Sequence, residues 1–140
     1  LPIGESEILR DGDDVAILAM GTLVEAATEA AQELGADGIS ASLINARFVK
    51  PLDKERLLAL ARRCGAILTV EEHVGEGGFG SAVLEFLMEE GVNVPVKCLA
   101  IREGLVEHGE SRASQGLDAS DIVKAAQDLV NSKAHSPGSD

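Results

Sequence analysis

A chain of 140 residues with a hydrophobic content of 45% has the size and composition of one folded domain. Its three aromatic residues are all phenylalanine, so its core must be aliphatic, which suits helices packed on a parallel sheet. The formal net charge is −12, from 24 acidic and 12 basic residues. This excess of acidic residues argues against nucleic-acid and anionic-membrane partners, since both need clustered basic side chains.

The sequence has two cysteines, Cys64 and Cys98, and their spacing fits neither a zinc site nor a redox motif. No apolar run is long enough to span a membrane, and no signal-peptide pattern opens the chain. We therefore expect reduced, partly buried thiols in a cytoplasmic protein. The chain begins at Leu1 without a methionine, and we expect it to be a piece of a longer protein.

The first predicted strand is followed directly by a helix. Val15–Met20 is an apolar run with the length of a buried strand. Thr22 and Glu25 have the spacing of a capping box, which predicts that a helix begins there. Apolar residues then recur at helical spacing. Gly35 is expected to end this helix.

A second strand and helix follow. Ile39–Ile44 is the predicted strand. After a proline-containing segment, Asp53 is placed to cap a helix over Lys54–Arg63. Basic side chains in the last turn of that helix interact favourably with the negative end of its dipole. Gly65 is expected to end the helix.

The remaining chain repeats the alternation. Ala66–Val70 is the third predicted strand, and a helix is expected from about residue 78 to 90, ended by Gly91. Val96–Ile101 is the fourth predicted strand. Ser120 is placed to cap a last helix.

Alternating strands and helices predict an α/β fold of three layers, with helices on both faces of one sheet. We expect a mostly parallel, mixed sheet of about five strands. The domain is expected to span residues 1–131. Residues 132–140 are polar and contain a Pro-Gly pair, so they are predicted to form a flexible tail.

Residues 75–80 have the sequence GEGGFG, which matches the G-x-G-x-x-G pattern of dinucleotide-binding loops. That pattern normally follows the first strand, with an acidic residue about 20 residues later. Here it follows the third strand, and Lys97–Ala100 lie at that distance. A structural role is favoured, in which the glycines permit a tight turn and close packing of the next helix. An anion-binding module that uses the amides at this helix start stays open as an alternative.

Three ionisable side chains stand out near predicted strand or loop ends. Glu71 and Glu72 follow the third strand, at the carboxyl edge where open α/β sheets bind ligands. Neighbouring residues on a strand point to opposite faces, so at most one of the two faces a given site. A hydrogen-bonding or interface role is favoured over catalysis. For His108, a capping or interface role is likewise favoured.

Several motifs together resemble the C-terminal domain of the transketolase superfamily. The most specific is Asn45–Asp53, NARFVKPLD, which resembles that domain's N/M-x-R-F-V/I-K-P-L/I-D stretch. Glu71-Glu72 followed by residues 76–81, EGGFGS, resembles a second signature. Residues 107–109 (EHG) and 116–118 (GLD) resemble two closing motifs. Within the superfamily, the chain resembles the 1-deoxy-D-xylulose-5-phosphate synthase family over about residues 1–130.

This resemblance implies a thiamine-diphosphate-dependent transferase that joins pyruvate, after decarboxylation, to glyceraldehyde 3-phosphate in isoprenoid precursor synthesis. In that family, other domains hold thiamine diphosphate and Mg²⁺. The resemblance therefore implies no cofactor ligand, no metal ligand and no activity for this domain alone. Its implied partners are the remaining domains and a second copy in a homodimer. The positions implied for the interface or the lip of the active site are Arg47, Lys50, Asp53, Glu71, Glu72, Gly77, Gly78, Gly80 and His108.

One alternative lies in the same superfamily. The C-terminal domain of a 2-oxo-acid dehydrogenase β subunit, or of transketolase itself, shares the Gly-Thr turn after the first strand and the Gly-Gly-x-Gly feature. The parent gene upstream of this chain would distinguish these enzymes, because the synthase family has both cofactor-binding domains in one chain.

Overall fold

The computed structural model of the chain describes residues 7–20, 23–45, 54–71, 79–100 and 118–134. These residues form five strands and four helices. The strands are β1 (Glu7–Arg10), β2 (Val15–Ala19), β3 (Ala41–Asn45), β4 (Ile67–Glu71) and β5 (Val96–Ala100). The helices are α1 (Leu23–Ala36), α2 (Lys54–Cys64), α3 (Phe79–Glu89) and α4 (Ala119–Ala134). No helix in these ranges is long and apolar enough to cross a membrane.

The strands form one sheet in the order β1-β3-β2-β4-β5. Strands β2 to β5 are parallel, whereas β1 lies antiparallel to β3 at one edge. The predicted α/β class with a mixed, five-stranded sheet is confirmed. The sequence did not locate β1, because it has only four residues and its two apolar side chains, Ile8 and Leu9, are 46% and 43% exposed. Such a strand has no buried face to produce an alternating pattern.

Alternating side chains of the strands point into two cores, one on each face of the sheet. Ile17 and Leu68 face the core under α1 and α4, whereas Ala16 and Ile67 face the core under α2 and α3. All four are fully buried. Strands β2 and β4 are therefore mostly apolar on both faces, as expected for a parallel sheet covered on both sides. The predicted three layers are confirmed.

Glycines with positive φ end three helices in the described part of the chain. Gly65 (φ 71°) and Gly91 (φ 72°) lie where the sequence predicted. Helix α1, however, continues through Gly35 to Ala36, and its C-terminal cap glycine is Gly38 (φ 85°). The Ile39 amide donates to the Leu34 carbonyl (2.8 Å), and Gly38 donates to Gly35 (3.1 Å), which is a Schellman motif. The predicted end at Gly35 was wrong because both glycines stand near the last apolar residue of the helix.

Helix α4 begins and ends at residues other than those predicted. Its cap is Asp118, whose Oδ1 accepts hydrogen bonds from the Asp121 amide (3.1 Å) and the Ser120 hydroxyl (2.8 Å). These bonds, the one from Ser120 first, lower the pKa of Asp118. The prediction that Ser120 caps this helix was therefore wrong. The helix also continues to Ala134, which places residues 132–134 in the helix rather than in the expected tail.

Lys133, near the end of α4, forms hydrogen bonds to the segment before β2 and to the end of α2, at the amino edge of the parallel strands. Its Nζ donates to the Asp14 carbonyl and the Cys64 carbonyl, both at 2.6 Å. The first carbonyl precedes β2, and the second is at the last residue of α2. Nearby, Arg63 Nε donates to Asp13 Oδ1 at 2.7 Å. The last helix is thereby joined to the start of the sheet.

Replacing Lys133 with methionine is expected to lower the free energy of unfolding by about 1.5–3 kcal/mol, because hydrogen bonds from a charged donor contribute that much. Methionine keeps most of the aliphatic stem that lies beside Gly65. Urea unfolding of the 140-residue chain, followed by circular dichroism, measures the change. Lys124→Met, at an exposed position of α4, is the control and should change stability by less than about 0.5 kcal/mol. Equal effects of the two substitutions would contradict the role given to Lys133.

Candidate functional site

The candidate site lies at the carboxyl ends of β2 and β4. Strand β3 lies on one side of β2 and β4 on the other. The chain leaves β2 towards α1, on one face of the sheet, and leaves β4 towards α3, on the opposite face. Open α/β sheets bind ligands at such a switch point. The Met20 amide donates to the Val70 carbonyl at 3.0 Å, which holds the two strand ends together there.

Glu71, the last residue of β4, is half-buried and connects this edge to α3. Its Oε2 accepts a hydrogen bond from the Gly80 amide at 2.8 Å. Helix α3 has no acidic residue in its own first turn, so this carboxylate supplies a negative charge near the positive end of the helix dipole. It also satisfies one of the amides that the first turn of a helix leaves without a partner. The hydrogen-bonding role favoured for an acidic residue here is thus present in Glu71.

Gly80 permits α3 to pack directly on β4 and β5. An ideal Cβ at Gly80 would lie 2.8 Å from Cys98 Sγ and 2.9 Å from Thr69 Oγ1, closer than real Cβ atoms approach such atoms. Thr69 is fully buried, and its hydroxyl has no hydrogen-bond partner among the described residues. Thr69 and Cys98 are paired in the parallel register of the two strands. Close packing, which the sequence favoured for this glycine, is confirmed.

The electrostatics of the α3 start oppose binding of a diphosphate. A phosphate at a helix N-terminus uses bare amides and the positive end of the dipole. Here the Glu71 carboxylate takes the Gly80 amide, and its charge would repel an anion at that place. Among the described residues, the start of α3 therefore offers no free Gly80 amide to a diphosphate. In the described ranges, no group of three or more His, Cys, Asp or Glu side chains could hold a metal ion.

Of the site positions implied by the sequence, Glu71 and Gly80 lie in the described part of the chain, and the structure joins them by a hydrogen bond. Thr69 and Cys98 were not singled out. The i, i+2 spacing of Thr69 and Glu71 places both on one face of β4, but their proximity to Cys98 depends on strand register, which one sequence does not give. The positions outside the described residues are Arg47, Lys50, Asp53, Glu72, Gly77, Gly78 and His108.

The two cysteines differ in accessibility, and both are free. Cys64 is buried at the end of α2, and its thiol lies 3.5 Å from the Gly12 carbonyl oxygen. Burial raises the pKa of this thiol. Cys98, by contrast, is exposed on β5. The expectation of two partly buried thiols is therefore wrong for Cys98, which lies on an edge strand among the described strands.

Labelling with a thiol-reactive disulfide reagent is expected to modify Cys98 at least about tenfold faster than Cys64, because reaction needs an accessible thiolate. The native 140-residue chain should show one fast thiol, and the chain in urea should show two. Cys98→Ser is the control, and it should remove the fast phase. Persistence of the fast phase in this variant would show that Cys64 is accessible.

The family model described as the C-terminal domain of transketolase matches residues 4–122. Among curated proteins, 1-deoxy-D-xylulose-5-phosphate synthase of Heliobacterium modesticaldum is 50% identical over 134 residues, which are 94% of this chain and 21% of that protein. The corresponding synthase 1 of Geobacter sulfurreducens is 52% identical over 95% of this chain and 22% of its own length. The chain thus spans about a fifth of the length of these relatives.

Two solved structures are similar to this chain. A split-gene transketolase, described as an inactive β4 tetramer, is 39% identical with a TM-score of 0.83, covering 94% of this chain and 43% of the other. The 2-oxoglutarate:ferredoxin oxidoreductase of Magnetococcus marinus has a TM-score of 0.62 at 18% identity, covering 90% of this chain and 19% of the other. The latter is a likeness of fold alone.

Proposed function

Because the chain belongs to the family of transketolase C-terminal domains, we propose that it is the C-terminal domain of a 1-deoxy-D-xylulose-5-phosphate synthase. The observation that carries this proposal is an identity of about half to named synthases over 94–95% of the chain. The proposed parent enzyme is a thiamine-diphosphate-dependent transferase of the cytoplasm. It joins pyruvate, with loss of CO₂, to glyceraldehyde 3-phosphate.

Within the parent, the role proposed for this domain is support of the active site and assembly of a homodimer, without catalysis. Two observations favour a role without catalysis. The chain corresponds to about a fifth of the length of its relatives, and at the start of α3 the Gly80 amide is already bonded to the Glu71 carboxylate. Thiamine diphosphate and Mg²⁺ are accordingly assigned to the other domains.

The test compares the full-length gene product with the 140-residue chain. The full-length protein is expected to release CO₂ from pyruvate in the presence of glyceraldehyde 3-phosphate and to bind thiamine diphosphate in calorimetry. The 140-residue chain is expected to do neither. Binding of thiamine diphosphate to the short chain with micromolar affinity would overturn the division of roles. A full-length protein that forms no deoxyxylulose phosphate would overturn the assignment to the synthase.

A transketolase is the second candidate, favoured by the 39% identity and the TM-score of 0.83 to the split-gene transketolase. The higher identity to the synthases places it second. The two enzymes differ in their two-carbon donor, which is pyruvate for the synthase and a ketose phosphate for transketolase. The full-length protein incubated with each donor in turn distinguishes them by whether CO₂ is released.

A further inference from the structure

Glu71 joins the end of β4 to the start of α3. Its backbone ends β4, and its side chain holds the Gly80 amide, nine residues later, at 2.8 Å. Gly80 is fixed from the other side as well, because Thr69 and Cys98 leave no space for even a methyl group there. The end of β4 and the start of α3 are therefore held together by the Glu71 side chain and by the close packing of Gly80 on the sheet.

We propose that Glu71 is a positioning residue, whose carboxylate oxygen holds two points of the fold in place, the end of β4 and the start of α3. Both points lie at the carboxyl edge, beside the switch point between β2 and β4. This inference rests on the proposed function, since the positioning matters for activity only if this edge supports the active site of the parent synthase. In this proposal Glu71 acts through the Gly80 amide and not as an acid or a base.

The hydrogen bond needs an acceptor oxygen at the right distance, and it does not need a titrating acid. The Gly80 amide is the donor, so the bond involves no proton transfer. Glutamine at position 71 has the same length and offers Oε1 as an acceptor. It lacks the charge, whose interaction with the helix dipole is a smaller effect than the bond and is screened by salt. Alanine loses both. The Gln and Ala variants therefore separate positioning from acid–base chemistry.

The experiment uses the full-length protein with Glu71→Ala, Glu71→Gln and, as a matched control, Glu85→Ala at an exposed position of α3. Hydrogen exchange at the Gly80 amide, the melting temperature and synthase kinetics are measured for each. Glu71→Ala should speed exchange at Gly80 about fivefold, as for loss of a helix cap. It should also lower kcat/KM about tenfold through misplacement, while the melting temperature stays within about 3 °C of the unmodified protein. Glu71→Gln and Glu85→Ala should remain within about threefold of it in both rates.

Three results would overturn the proposal. Unchanged exchange at Gly80 in Glu71→Ala would show that the bond does not hold this junction. Faster exchange with unchanged kcat/KM would show that the junction does not affect the active site. Equal losses of activity in Glu71→Gln and Glu71→Ala, with exchange still slow in the Gln variant, would show that the charge is what matters. If the unmodified protein has no synthase activity, the proposed function fails, and the exchange measurements still decide whether Glu71 holds the two ends.

Discussion

Gly12→Ala is expected to lower the free energy of unfolding by about 3 kcal/mol or more, because the added methyl group would clash with backbone atoms. An ideal Cβ at Gly12 would clash with the carbonyl carbon of Ala41 and would lie 2.6 Å from its oxygen. Both atoms belong to the backbone at the start of β3, so no side-chain rotation relieves the contact. The connection between β1 and β2 would have to move away from β3.

That movement would also break a pair of buried hydrogen bonds. The Gly12 amide donates to Ser42 Oγ, and the Ser42 hydroxyl donates to the Gly12 carbonyl, each at 2.8 Å. Ser42 is fully buried, so its hydroxyl would lose its partners without gaining water. The clash and these lost bonds act together, because both depend on the same approach of Gly12 to β3.

Urea unfolding of the 140-residue chain measures the effect, with Gly35→Ala as the matched control. Gly35 lies inside α1, where an added Cβ would meet only the end of the Arg10 side chain, at 3.1 Å. Alanine there should leave stability unchanged or raise it by up to about 1 kcal/mol, because glycine is the poorer helix former. A loss of less than about 1 kcal/mol for Gly12→Ala would contradict the close approach.

The layers of the fold follow from local sequence, whereas its edges and junctions do not. Val15–Ala19 is a continuous apolar run of strand length, and Ile67–Glu71 is apolar except at Thr69 and Glu71. These two strands and the helices between them were therefore predictable. Strand β1 was not, because its pairing with β3 fixes it more than its own side chains do. The C-terminal end of α1 was not predicted correctly either, because two nearby glycines, Gly35 and Gly38, are both suitable as its cap.

The candidate site shows the same division. The sequence indicates an acidic residue at the end of β4 and a glycine at the start of α3, and both are where expected. It does not indicate that Glu71 and Gly80 bind each other, because the bond depends on how α3 lies on the sheet. It also does not indicate the contacts of Gly80, which require the β4–β5 register that pairs Thr69 with Cys98.

Gly80→Ala is expected to lower the free energy of unfolding by about 1–3 kcal/mol, the usual cost of overpacking. The added methyl group would meet Cys98 Sγ and Thr69 Oγ1 below 3.0 Å, so α3 must shift or the two side chains must turn. These are side-chain atoms rather than backbone, and for this reason the expected loss is smaller than for Gly12→Ala.

The cause of that loss can be isolated in a background with both neighbours shortened, Thr69→Ala with Cys98→Ala. There, Gly80→Ala should cost at least about 1 kcal/mol less than in the unmodified chain, since residues in contact couple by such amounts. Urea unfolding of the four combinations gives the coupling directly. If Gly80 were glycine in order to bare its amide to a ligand, the cost would be the same in both backgrounds. A reduced cost instead identifies the glycine as what lets α3 lie close enough for Glu71 to reach it.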